Sequence, residues 1–549
     1  MRRATRSRGG RMSVWGTVPA WMSAVGSVSA LAFAAVAVVI SRRTFKANEE
    51  ARSALEASAR RSQAALVSAW WIESPTGKRG VVVRNVSETP VYQSYLTVLG
   101  VDNQTEELKE HLGVLPPSDK PYFWPAVTNA LSPQVGGRRV TLSFTDAAGV
   151  RWLRNQYGTL VELSSKLQVK ADPTTVAELS LFREDFFSAY GVAITFQEDP
   201  DNHAQDKYVA EVERSPTLDA LLCPHDWIGD LISHDVLQPI VVSQAQRNAF
   251  PAWSLAALTA GGRLYGLPTT IDTVALFRNI DMVPDPPQTF DDLVEDGIAL
   301  RKARRVTEVF TVRVGENGDP FQIWPLFTSA GGWLFGRTPD GSWDPTHVGI
   351  GTPESIAAFD QLRRYGEAGL GYLRRSMDRR VAVEKFVLGA SPYLISTSDA
   401  LQPLLRAKLP FAVSAVPPFS QGRPASALTL VHGLLFSKFG TNTITAQDLF
   451  ADYMTNIGTM AALSEHIAAP VALRNAEAKN PALRTFKELC ERGTPIPSFA
   501  EMGATWRILE QAQVSVISGD SAEKAAHLAA SRLADIFSGW HERRQFTDV

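Results

Sequence analysis

The side chains able to do chemistry in this chain are scattered. There is no Gly-x-Ser-x-Gly elbow to expose a nucleophile, no phosphate-binding loop and no His-Glu-x-x-His pair for zinc. Gly349 and Gly351 run straight into Thr352, so they form no dinucleotide fingerprint. The nine histidines include no pair at the spacing of a helical metal site. His225 and Asp226 are adjacent, and neighbours in an extended segment point apart, so a local hydrogen bond is expected for His225 rather than catalysis. Cys223 ends an apolar run and reads as a buried, inert thiol. A glycosidase would need two carboxylates at a defined separation, which a sequence does not give. A hydrolase therefore stays open but unsupported. Tryptophan is what stands out. Thirteen are present, several beside acids or prolines: Asp226–Trp227, Asp319–Pro320–Phe321 with Trp324, and Trp506. Aromatic faces stack on the aliphatic faces of polyhydroxylated rings while carboxylates accept their hydroxyls, and the same pair suits cations. Core packing is the competing role for any single tryptophan.

The elements that must position these groups fall into blocks. At 549 residues the chain suggests about three or more domains. A net charge of −2 argues against a general nucleic-acid binder. Two cysteines exclude a disulfide scaffold or a Cys-rich zinc site. No charged side chain occurs between Arg11 and Arg42, and residues 18–40 are almost continuously apolar. About 20 such residues span a bilayer, and Trp15 and Trp21 fall where an interfacial belt would sit. A cleaved signal peptide is the rival, but the run is long for one and ends in Arg42–Arg43. Five arginines before the span against four basic residues after it give a slight vote for a cytoplasmic N-terminus.

Residues 1–43 thus read as a basic segment and membrane anchor. Residues 44–66, rich in Ala, Glu and Arg, read as a helical stalk. From 67 to 166 short alternating runs predict a small β-sandwich. Val140, Leu142 and Phe144 alternate with Thr141, Ser143 and Thr145 as a half-buried strand, and Asp146–Gly149 turns it into the run at Val150 and Trp152. From 167 to 540 strands such as Val192–Phe196, Leu218–Cys223 and Val274–Phe277 alternate with amphipathic segments, the mark of α/β layers in two lobes. Thr352–Pro353 starts one helix and Asp520 with Glu523 another, with Leu528, Leu533 and Ile536 at roughly helical spacing. Residues 541–549 are a short tail.

Within the α/β region, GGRLYGLPTTIDTVALFRNIDMVPDPPQTFDDL (261–293) resembles the stretch of extracellular solute-binding proteins that crosses between lobes. FQIWPLFTSAGGWLFG (321–336), the block at 343–370, and those at 448–477 and 496–526 follow in the family's order. The likeness is to the maltose-binding type and covers about two thirds of the chain. It implies a type II two-lobed fold, hinge-linked, with a cleft closing on a small polar solute, and an ABC-type importer as partner. It implies a carbohydrate ligand and a receptor rather than an enzyme, without cofactor or metal.

The family's cleft carboxylates fall on Asp226, Asp272 and Asp319, an aromatic on Phe321 and a stacking tryptophan on Trp506. Elsewhere the pattern departs. A family tryptophan falls on Cys223 and another near Asp399, while two arginines become Trp227 and Glu510. Trp227 would then replace the platform lost at Cys223. Asp399 and Glu510 would join the other three acids in one cleft, and crowded carboxylates raise one another's pKa or invite a cation. Three outcomes are open: an oligosaccharide read by fewer stacking faces, a basic solute such as an aminosugar or polyamine, or a lost site. The resemblance places the domains outside the cytoplasm, while the apolar run, not the resemblance, makes residues 18–40 a single-pass anchor in contact with lipid. A tethered sensor using the same fold without transport is the alternative.

Overall fold

The computed structural model describes residues 61–539 except 74–78, 100–105, 126–138, 156, 164–165, 191, 199–208, 210–217, 340 and 441. The expected anchor at 18–40, most of the stalk and the tail lie outside the described residues. Among the described residues, no helix is long and apolar enough to cross a membrane.

Residues 61–65 are helical and lead into two antiparallel sheets. One orders Val67–Glu73, Arg79–Asn85 and Tyr122–Pro125. The other orders Glu106–Leu115, Val91–Leu99, Arg139–Thr145, Arg151–Arg154 and Leu160–Leu163. Val67, Val81 and Val83 of the first share one apolar core with Leu96, Leu142 and Phe144 of the second, so the sheets form a sandwich. The Asp146 turn forms as the sequence suggests, its carboxylate accepting from the N–H groups of Ala148 and Val150. The strand before it departs from expectation. Ser143 and Thr145 are buried as well as Leu142 and Phe144: the Ser143 hydroxyl donates to Asp448 of the α/β region, and Thr145 is hydrogen-bonded to Gln93 and Arg151 within the sandwich.

That region has two lobes. The first is built on a sheet ordered Ala193–Glu198, Lys166–Ala171, Ala220–Pro224, Leu428–Phe436 and Gly266–Thr273. The second holds Thr311–Val312, Tyr393–Ser396, Ala275–Asn279 and Phe411–Ser414. The chain passes from the first sheet to the second at Thr273–Ala275, returns before Leu428, and pairs Thr494–Pro495 beside Leu428–Thr429 before entering the helix Met502–Ser518 of lobe 2. Separate apolar clusters hold the lobes, one around Phe186, Leu435 and Phe450, the other around Phe290, Phe310 and Val516.

Thr352 caps the helix Pro353–Tyr365 as its sequence suggests, accepting from Ser355 N–H. At the last helix, Ala522–Ile536, the cap is Ser521 rather than Asp520. Asp520 instead accepts from the Ser515 hydroxyl. Leu528 faces solvent while Leu533 is buried, so the apolar stripe is narrower than the spacing implied.

Candidate functional site

Between the lobes lies a cleft of about 1480 Å³. Lobe 1 brings Trp227 to it. Pro224 stops the edge of the strand Ala220–Pro224, and the chain turns at once into a short 3-10 helix, His225–Trp227. His225 and Asp226 are therefore on a tight helical turn, not in the extended segment the sequence suggested. Lobe 2 brings the loop 313–319, whose end is fixed by Asp319 capping the helix Pro320–Ser329 through Gln322 N–H. It also brings the helices Arg379–Val387 and Met502–Ser518, and the turn at Asp399.

Six of the eight candidate residues line this cleft: Trp227, Asp319, Phe321, Asp399, Trp506 and Glu510. The remaining two are carboxylates set behind its wall. Asp226 is buried, and its Oδ2 accepts from the Trp506 indole N–H at 2.8 Å, joining lobe 1 to lobe 2. Burial pushes its carboxyl pKa up, against the pull of His225 and Trp506. Asp272 lies at the lobe crossing, where its Oδ1 accepts from the N–H groups of Thr273 and, across the crossing, Ser398 at 3.0 Å. Burial, and then the nearby Asp399 charge, raise its pKa to about 7.

His225 has long-range partners in place of a local one. Its Nδ1 accepts from Val431 N–H at 3.1 Å, so Nε2 carries the proton and donates to the Ile496 carbonyl at 3.0 Å. Burial lowers its pKa, and the ring ties Val431, within the strand Leu428–Phe436, to Ile496, just past Thr494–Pro495. Cys223 is buried, and burial pushes its thiol pKa up. Among the described residues no group of three or more metal-ligating side chains occurs.

The expectation of uncompensated acids is corrected for Asp319 and Asp399, and Glu510 keeps no ion pair among the described residues. Arg313 pairs with Asp319 at 2.9 Å and Arg379 with Asp399 at 2.5 Å. Arg380 pairs with Glu384 one helical turn on, and Arg507 adds a fourth cleft arginine. Counting only the arginines lost at Trp227 and Glu510 missed these four. The Asp378–Arg379–Arg380 run carried a usable signal, since Asp378 caps its helix and sends both arginines into the first turn. The resulting wall presents aromatic faces edged by carboxylate–guanidinium pairs, which together accept from and donate to vicinal hydroxyls.

Two α/β lobes joined by strand crossings around such a cleft define a hinged ligand-binding protein. Residues 182–484 match the family of bacterial extracellular solute-binding proteins, and the chain belongs to that family. A galactooligosaccharide-binding protein of Bacillus subtilis (strain 168) is 22% identical over 322 residues, 56% of this chain and 74% of its own. A maltotriose-binding protein of Pyrococcus abyssi (strain GE5 / Orsay) is 25% identical over 356 residues, 60% and 71% of the two chains. A maltooligosaccharide ABC transporter solute-binding lipoprotein of Streptococcus pneumoniae (strain ATCC BAA-255 / R6) is 22% identical over 373 residues, 64% and 86%.

Proposed function

We propose that this chain is an extracytoplasmic receptor that captures an oligosaccharide for an ABC-type importer, held at the membrane by residues 18–40. The observation that carries this reading is the cleft wall, where Trp227, Phe321 and Trp506 stand among paired arginines and carboxylates. Such a wall suits rings with one apolar face and a polar rim. At about 1480 Å³ the cleft exceeds the roughly 300–1,000 Å³ of pockets for drug-sized ligands, which favours a chain of several sugar rings over a monosaccharide. The relatives named for galactooligosaccharide, maltotriose and maltooligosaccharide support the same class.

Binding by Asp226 and Asp272 is proposed as indirect. Asp226 holds the Trp506 indole in place, and Asp272 sets the lobe crossing. Calorimetric titration of the chain with maltotriose and galactooligosaccharides tests the reading. Saturable heat is expected, and Trp506→Ala should weaken it by about tenfold or more, as loss of a stacking face costs on the order of 1–3 kcal/mol. Absence of binding to every neutral and amino-substituted oligosaccharide tested would overturn it. Protease treatment of intact cells tests the location: digestion of residues 67–549 is expected, and protection until lysis would overturn it.

A further inference from the structure

Trp506 and Glu510 are one turn apart on the helix Met502–Ser518, so they share a face, and both line the cleft. The two carboxylates nearest in kind are already occupied. Asp319 binds Arg313 and caps a helix, and Asp399 binds Arg379. Glu510 is only partly exposed yet has no hydrogen bond or ion pair among the described residues. Arg507 and Arg313 act on it from beyond pairing distance, without offsetting the cost of burial and the repulsion of Asp319. Across the described cleft lining, four arginines face six carboxylic side chains, so the wall carries an excess of negative charge. An unspent carboxylate one turn from an indole face is a receptor for a cation: the carboxylate supplies the counter-charge and the indole a cation–π surface.

Building on the oligosaccharide reading, we infer that the cleft selects a saccharide bearing a free amino group, with a pyranose face on Trp506 and its ammonium paired with Glu510. A neutral sugar would leave Glu510 desolvated with only a hydroxyl donor, whereas an ammonium restores its charge partner.

The test is calorimetric titration of the full chain at about pH 6.5 and low salt with the trisaccharide of glucosamine, its fully N-acetylated counterpart and maltotriose, the affinity expressed as a ratio. The glucosamine trisaccharide should bind about tenfold tighter than either neutral ligand, and its advantage should shrink as salt is raised. Glu510→Gln should bring its affinity down to that of the neutral ligands, with the melting temperature recorded to show that the variant is folded. Equal affinity for the three wild-type ligands, or a preference that survives in folded Glu510→Gln, overturns this inference and leaves the oligosaccharide reading standing. Binding of none of the three overturns both.

Discussion

Asp226, buried, and Asp272, partly buried, are both carboxylates near the junction of the lobes, but their partners give them different duties. Trp506 supplies the one donor that Asp226 Oδ2 accepts from lobe 2, and Asp226 Oδ1 has no hydrogen-bond partner among the described residues. Trp506→Phe keeps an aromatic face and removes only the N–H. It should lower stability by about 1–3 kcal/mol, the cost of stranding a buried acceptor, read as a fall in the chemical-denaturation midpoint. Adding Asp226→Asn should recover part of that loss, because the neutral amide is cheaper to bury.

Asp272 is the titration site. With its pKa raised to about 7 in the fold against about 4 in the unfolded chain, the native state holds the extra proton between those values. Its contribution is therefore least costly below about pH 4, and stability is lost as pH rises toward 7. Asp272→Asn should flatten that slope and stabilise the protein at about pH 8 by on the order of 1–2 kcal/mol, measured by denaturation across pH. Asp226–Trp227, Asp319 with Phe321, and Trp506 were legible as aromatics and acids in probable loops, whereas Asp272, Asp399 and Glu510 came only through the family resemblance, and the pairing of the acids was not legible at all. Arg313 and Asp319, or Arg379 and Asp399, meet only through the fold, so charge counting along the chain overstated the crowding.

At the level of elements, local rules reached what local forces decide. The turn at Asp146 and the cap at Thr352 follow from side-chain oxygens that satisfy nearby N–H groups, and both were readable in advance. The fold of His225–Trp227 was not, because this 3-10 turn is held by partners far along the chain, His225 by Val431 and Ile496 and Asp226 by Trp506. Packing is close at Gly229, in the short helix Ile228–Ser233. A Cβ there would lie 2.2 Å from the Ser498 carbonyl oxygen and 2.4 Å from the Phe499 carbonyl carbon. Backbone atoms cannot rotate away as a flexible side chain would. Gly229→Ala should therefore push the helix off residues 498–500, costing about 1–3 kcal/mol and separating Asp226 from Trp506. Thermal melting would show the first effect, and weakened binding of the preferred trisaccharide the second. A neutral outcome in both would mean that the helix shifts freely, and that the contact does not set the lobe spacing.

For the molecule as a whole, the β-sandwich is fixed to lobe 1 by a charged cluster that solvent barely reaches. Asp448, on the helix Thr443–Met454, pairs with Lys109 at 2.6 Å, lies 3.7 Å from Arg151 and accepts from the Ser143 hydroxyl at 2.7 Å. Lys109 is 6% exposed and Arg151 2% exposed, so neither cation has water to fall back on. Tyr95 of the sandwich stacks on His111 and joins the apolar cluster of lobe 1, while Gln93 donates to the Ala189 carbonyl. This explains why Ser143 is buried on a strand whose alternation predicted exposure: its covering partner, Asp448, arrives some three hundred residues later in the chain. Lobe 1 and the sandwich should then move as one body, so ligand closure swings lobe 2 against a fixed assembly. Removing Asp448 alone leaves two buried cations uncompensated, a loss of roughly 3–5 kcal/mol. Calorimetry should show the sandwich and lobe 1 melting together in the native chain. In Asp448→Ala an earlier transition for the sandwich should split from the rest. If that variant instead melts as one transition within about 1 °C of the native chain, the cluster contributes nothing to the coupling, and the apolar contacts of Tyr95 must account for it.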